Sequence, residues 1–392
     1  VCVMYTVHMD HTGRLAKMQA AVAEAGLDVL VGTRLKSVTH ACGAFCPWRS
    51  TVIIPATGKG EITLICPSMD VNRLQQEGWL RRVVGYSRQS MMAAAAAQVA
   101  DLGLAKGNVG IEDGASVYLP EGFITRSEYN DLAVQLPDAE LIDAHRIIDS
   151  LAMIKEDAEV HLMRQAAAIV DRGQEAVAEA LRPGMSEKQI AGVAEQAMRD
   201  AGSEFAWTFT GGQEIASGHR TWTGACTPAT DKIVQRGEFV LLDLHGMYGL
   251  MLGDVAHNAV LGQPTAAQAR VIEGFTATCH KLVEHMQPGR TLGEAARATR
   301  EFVEEQGWTE FIRGFGHGIG HFGDEWYPTL TDAEIDGVSE PNFVLQPNYM
   351  QEIAVTANLP GVGGLRMERP LVITETGNEV LSKTPFEPYI ID

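Results

Sequence analysis

No stretch of the 392 residues is apolar for long enough to cross a membrane. Cysteine is sparse, and its six positions, Cys2, Cys42, Cys46, Cys66, Cys226 and Cys279, follow no regular spacing. Cys42 and Cys46 are not spaced as a zinc knuckle and have no downstream pair, so reduced thiols in a cytoplasmic protein are expected. The opening residues, Val1-Cys-Val-Met-Tyr-Thr-Val-His8, are too short and lack the basic flank of a signal peptide. Basic residues are few: 31 Lys and Arg stand against 50 Asp and Glu, a formal charge of −19. A nucleic-acid partner wants a basic face, so that class is disfavoured. Most of the acids are expected to form a solvated surface, while some are available to neutralise a bound metal. There is no internal repeat and no glycine-rich phosphate loop.

What remains is a globular composition, 45% apolar and 21% charged, long enough for two or three domains with full cores. Residues 12–25 carry apolar positions at helical spacing, and Gly26 is placed to stop the helix. Residues 28–32 read as a short buried strand, and 51–55 and 61–66 as strands of a hairpin. A helix over 91–104, a strand over 108–112 and a helix over 121–136 complete an alternating α/β pattern. Trp48 and Arg49, beside a predicted strand, have two readings: surface packing, or reach into a neighbouring subunit's site. The pattern changes near Asp149. A long amphipathic helix over 156–181 stops at Pro183-Gly184, and Ser186 is placed to cap another running to about residue 201. Further helices fit 264–286 and 291–306, among strands near 205–218, at 239–258 and in the tail. Two domains are expected, 1–148 of α/β type and 149–392 of α+β type.

The stretch Phe239–Asn258 organises the second domain. Two apolar strands around a glycine turn end in Asp243 and Asp254, eleven residues apart. A carboxylate in such a setting is costly unless a cation or paired hydrogen bonds offset its desolvation. Downstream come His317 in Gly314-Phe-Gly-His-Gly-Ile-Gly-His321, Glu352 in Asn348-Tyr-Met-Gln-Glu352, and Glu368 in Gly363-Gly-Leu-Arg-Met-Glu368. Four carboxylates and one imidazole suit a pair of divalent ions such as Mn, Co, Fe or Zn, with Asp254 and Glu368 bridging. Periodicity does not single out these five; their order and local motifs do.

In that order and those motifs the chain resembles the pita-bread metallopeptidases, which include aminopeptidase P, prolidase and the metal-free creatinase. Asp243 and Asp254 match the family's Asp pair, Gly316-His317-Gly-Ile-Gly320 its Gly-His-Gly-Ile-Gly, and Arg366-Met-Glu368 its closing Arg-x-Glu. The segments Ile154-Lys155, Pro183-Gly-Met-Ser-Glu187 and Ala216-Ser-Gly218 also fall in step. The resemblance implies a pita-bread catalytic domain behind a creatinase-type N-terminal domain, and a homodimer. It implies metals on Asp243, Asp254, His317, Glu352 and Glu368. His321 competes with His317, but Gly320 and Asp324 fall at the family's distances from His317.

Two positions depart from the family. Cys226, in Gly224-Ala-Cys-Thr-Pro228, stands where a substrate-binding His is usual, and Asp324 where a second His is usual. An Asp there serves better as a base than as an oxyanion donor. Arg366 has two open readings, a substrate carboxylate or a ligand Glu. His245 and His257 flank the Asp pair, as pocket lining or as core, and Trp222 and Trp326 are candidate pocket walls. The expected function is a dinuclear-metal hydrolase of Xaa-Pro peptidase type, acting on a small amide or dipeptide. A metal-activated water attacks, Glu352 and Asp324 are the catalytic carboxylates, and Arg366, Cys226, His245 and Trp326 bind substrate. The alternatives are a metal-dependent lyase like that acting on dimethylsulfoniopropionate, with Asp324 as base, and a metal-free creatinase-like hydrolase.

Overall fold

The computed structural model describes residues 9–114, 121–205, 212–222, 227–321, 327–335 and 338–392, with the backbone alone at 323–324. The chain divides into two compact units, Val1–Ala152 and Met153–Asp392. No helix among the described residues is long and apolar enough to cross a membrane.

The first unit alternates helices and strands in chain order: α1 (His11–Glu24), β1 (Val29–Gly32), α2 (Leu35–Cys42), β2 (Thr51–Pro55), β3 (Thr63–Pro67) and α3 (Val71–Glu77). Then follow β4 (Arg82–Tyr86), α4 (Met91–Asp101), β5 (Asn108–Ile111), α5 (Arg126–Gln135), β6 (Glu140–Asp143) and α6 (Arg146–Ala152). Its six strands form one sheet in the order β4-β3-β2-β1-β5-β6. β1 is apolar on both faces, as a strand covered on both sides must be. Leu30 packs towards α1, α2 and α6, while Val29 and Val31 pack towards α4 and α5. A polar cluster ties α2 to this sheet. Glu112 accepts from the amides of Thr33 and Arg34 at 2.6 and 2.7 Å and from the Ser37 hydroxyl, supplying the anion that a helix N-terminus favours. Asp149 accepts from Arg34 at 2.9 Å and Lys36 at 2.5 Å. Arg49 is engaged inside this unit, paired with Glu128 at 2.8 Å and donating to the carbonyls of Thr33, Gly122 and Phe123.

The second unit begins with α7 (Asp157–Ala180), α8 (Glu187–Asp200), β7 (Glu214–Ser217), β8 (Phe239–Tyr248), β9 (Met251–Leu261), α9 (Ala266–His285) and α10 (Leu292–Glu305). It continues with β10 (Ile312–Arg313), β11 (Gly316–Gly320), β12 (Gly323–Asp324), β13 (Met350–Leu359), β14 (Gly363–Ile373), β15 (Asn378–Val380) and β16 (Tyr389–Ile391). A ten-stranded sheet runs β12-β11-β13-β14-β9-β8-β7, with β10, β15 and β16 attached to β13, β14 and β9. Four helices carry capping boxes opened by Ser186, Thr265, Thr291 and Glu156, which satisfy first-turn amides that the helix itself cannot.

Strand periodicity then sorts the side chains. Val240, Leu242, Leu244 and Val255 pack against α7 and α8. Ile353, Val355, Leu365, Met367 and Leu371 pack against α9 and α10. The alternate positions, Asp243, Asp254, Glu352 and Glu368, therefore point away from that apolar packing.

Two glycines let the backbone close up around these positions. A Cβ on Gly253 would lie 2.4 Å from the backbone carbon of Ala166 in α7. Gly316 adopts φ +127, and a Cβ there would lie 1.9 Å from the Glu352 carbonyl oxygen. In both cases the obstacle is main chain, which cannot rotate aside. Gly253→Ala is therefore expected to destabilise the second unit by about 3 kcal/mol, the upper end of the overpacking range. Hydrogen exchange of the β8 and β9 amides measures that loss.

Candidate functional site

The antiparallel register brings the candidate residues together. Across β8 and β9, Asp243 lies opposite Ala256 and His245 opposite Asp254. β14 joins β9 with Glu368 opposite Ala256, so Asp243 and Glu368 flank the same β9 residue. β11 sets His317 directly opposite Glu352 on β13. All are buried; Asp243, Asp254, Glu352 and Glu368 are each at most 2% exposed. Ligand-type atoms of Asp254, His317 and Glu368 lie within 4.8 Å of one another, and so do those of Asp243, His245 and Asp254. Asp254 belongs to both groups.

The electrostatics favour positive charge here. Burial pushes the Asp243 carboxyl well above its ordinary range, and the neighbouring Glu368 adds to the rise. Burial would raise Glu368 too, but the Arg366 guanidinium and His317 beside it hold it well below the usual carboxylate value. Arg366 donates to Glu368, and its Nε lies 3.4 Å from Asp243 Oδ2. Arg366 is thus paired with Glu368, the acid expected to be a ligand. Burial would depress His245, yet Asp254, Asp243 and Glu214 raise it well above the ordinary imidazole value.

The donor set fits divalent cations on two grounds. Asp243 Oδ1, Asp254 Oδ1 and Glu368 Oε2 are buried and make no hydrogen bond among the described residues. His317 Nε2 stands 3.6 Å from Glu368 Oε1. Two donors each about 2.0–2.2 Å from a shared ion lie roughly 3–4 Å apart, so that spacing suits coordination.

The other expected residues separate. His321 pairs with Glu159, its Nε2 2.9 Å from the accepting Oε1, and is not part of the Asp254–His317–Glu368 group. His257 faces the helices, edge-on to Tyr389 at 4.3 Å, where burial and then Arg369 lower it well below the ordinary imidazole value. It is a core residue. Asp324 lies on β12, opposite Ile319 of β11, and only its backbone is described. Cys226 and Trp326 lie outside the described residues.

Two residues escaped the sequence reading. Glu214, buried on β7, is the cross-strand partner of Asp243; burial raises its carboxyl, opposed by His245 and Arg366. Gln213 clamps the His245 backbone, accepting from its amide at 2.7 Å and donating to its carbonyl at 3.1 Å. Locally Glu214 stands out only as an acid beside the short apolar run Ile-Ala, and its pairing with Asp243 is visible in the sheet register alone.

Residues 161–375 match the model for metallopeptidase family M24, and residues 14–154 match that for the creatinase/prolidase N-terminal domain. The chain is 30% identical over 280 residues to an Xaa-Pro dipeptidase of Pyrococcus furiosus, covering 71% of this chain and 74% of that one. It is 28% identical over 270 residues to the uncharacterised peptidase YqhT of Bacillus subtilis, covering 68% of this chain and 73% of YqhT. A solved Xaa-Pro dipeptidase from Bacillus anthracis superposes with a TM-score of 0.83 at 25% identity, over 97% of this chain and all of that chain. The creatinase-type α/β domain followed by a pita-bread domain, expected from the resemblance, is thus present. The chain belongs to metallopeptidase family M24.

Proposed function

We propose that this chain is a metal-dependent peptidase of Xaa-Pro type, acting on dipeptides or similarly small amides. One observation carries the reading. Asp254 belongs to two buried groups of ligand-type atoms, one with Asp243 and one with His317 and Glu368, and Glu352 lies opposite His317 on the next strand. The Xaa-Pro dipeptidases of Pyrococcus furiosus and Bacillus anthracis lend the substrate class.

The cofactors assigned by this reading are two divalent ions drawn from Mn, Co, Fe and Zn, which Asp243, Asp254, His317, Glu352 and Glu368 would hold. Bound there, such ions supply Lewis acidity and a water acidic enough to attack an amide near neutral pH. The chain's own residues do the rest. Glu352 takes the proton of the attacking water and returns it to the leaving nitrogen, the work suited to a carboxylate at the reacting centre. Arg366 keeps Glu368 ionised and oriented, so gripping a substrate carboxylate would require it to release one of its present partners. Asp324, Cys226 and Trp326 are assigned to the substrate side on sequence grounds. A homodimer follows from the resemblance. A reducing cytoplasmic compartment is supported by the buried free thiols of Cys42, Cys46, Cys66 and Cys279.

Purified protein loaded with Mn or Co is expected to hydrolyse Xaa-Pro dipeptides, to lose activity on chelation, and to regain it on adding metal. A chain that metal analysis shows to hold two ions, yet that cleaves none of a panel of Xaa-Pro dipeptides, overturns the substrate assignment. Glu352→Gln is expected to lower kcat by about 10²–10⁴-fold, the range of general acid–base catalysis, with circular dichroism unchanged. Steady-state kinetics on the same panel measure it.

A further inference from the structure

We propose that His245 is itself a metal ligand, so that the ion held by Asp243 and Asp254 binds an imidazole in addition to those carboxylates. The inference rests on the dinuclear reading above and deepens it. His245 follows Asp243 by two residues on β8, so both side chains leave the same face of the strand. Its cross-strand partner is Asp254. The ring is buried, with Nε2 3.5 Å from Asp254 Oδ1 and 3.7 Å from Asp243 Oδ1.

Those distances are longer than an ordinary hydrogen bond and suit donors that share an ion. An imidazolium held by hydrogen bonds would sit about 2.7–3.2 Å from its acceptors. Donors sharing one ion, each about 2.0–2.2 Å from it, lie roughly 3–4 Å apart. The observed separations fall in the second range. Neither Oδ1 atom makes a hydrogen bond among the described residues, so both are available at that point. Gln213 holds the His245 backbone through both its amide and its carbonyl, fixing where the ring begins.

The consequence is chemical. With His245 on one ion and His317 on the other, each metal position contains an imidazole. Imidazole suits Zn, Fe and Ni, whereas all-oxygen sets suit Mg and Mn. His245 therefore biases the Asp243–Asp254 position away from Mn and towards Zn, Fe or Co.

Metal content after gel filtration in metal-free buffer tests this, with zinc affinity and zinc-over-manganese preference measured by competition with a chromophoric chelator. Wild-type protein is expected to retain two zinc ions. His245→Ala is expected to bind its weaker zinc at least about 100-fold less tightly, beyond the loss typical of residues that only support a ligand. Its zinc-over-manganese preference falls at that position alone. His245→Asn serves as a second variant, and circular dichroism checks the fold of both. X-ray absorption of the two-zinc wild type is expected to count one imidazole per zinc, and half that number overturns the proposal without relying on any variant. Two ions bound with unchanged affinity and preference in a folded variant also overturn it, and leave the dinuclear reading intact. So does a wild type holding one ion whose His245→Ala variant gains a second, since His245 would then be the resident cation. A wild type that retains no ion overturns both readings.

Discussion

A carboxylate withdrawn from water persists only where positive charge or hydrogen bonds replace its hydration. The second unit sets that condition severely. Among the described residues, Asp243, Asp254, Glu214, Glu352 and Glu368 are buried, with the Arg366 guanidinium beside Asp243 and Glu368. The carboxylates there outnumber the cationic side chains beside them, a balance that bound divalent cations would redress. The raised Asp243 and His245 express the same shortage: without cations, protons are drawn in to supply the charge. Metal binding and folding of this patch are therefore linked, because ions that bind only the folded arrangement stabilise it.

The sheet makes this concentration of charge possible by giving its two faces to different tasks. Val240, Leu242, Leu244 and Val255 pay for the structure on one face through contact with α7 and α8. Each position between them is released for chemistry on the other. Close approach depends on residues without side chains: Gly253 lets α7 lie against β9 beside Asp254, and Gly316 lets His317 sit opposite Glu352. A single added methyl at either place meets backbone, so the site's geometry is set partly by what is missing.

Much of this was legible in the chain. Asp243 and Asp254 stand out because each ends an apolar run, and His317, Glu352 and Glu368 because short motifs surround them. The helices over 156–181, 264–286 and 291–306 lie close to α7, α9 and α10, since amphipathic spacing and caps are local properties. What escaped depends on register. His245 read as pocket lining or core, and only its pairing with Asp254 shows the ring nitrogen standing on both Asp side chains. Glu214 joins the cluster because β7 pairs with β8 at Asp243, a non-local match that no window of sequence contains. Arg366 could face a substrate or a ligand on sequence grounds, and only the structure shows it beside Asp243 and Glu368. His257, equally close to Asp254 in sequence, falls on the opposite face by the same two-residue period.

The two units also show why buried acid alone does not mark a metal site. Glu112 and Asp149 in the first unit are as buried as Asp243 and Glu368 in the second. Yet both oxygens of Glu112 accept hydrogen bonds, from two amides and a hydroxyl, and both oxygens of Asp149 accept from Arg34 or Lys36. The carboxylates of that cluster are fully engaged, and they tie the N-terminus of α2 to residues beside β5 and on α6. In the second unit Asp243 Oδ1, Asp254 Oδ1 and Glu368 Oε2 are aimed at common points with no donor among the described residues. An unmet acceptor at this depth costs about 1–3 kcal/mol, and more when charged, so several side by side would not persist as a purely structural feature. The distinction lies in satisfaction rather than composition: completed hydrogen bonding identifies the first cluster as scaffold, and shared, unmet acceptors identify the second as a seat for cations.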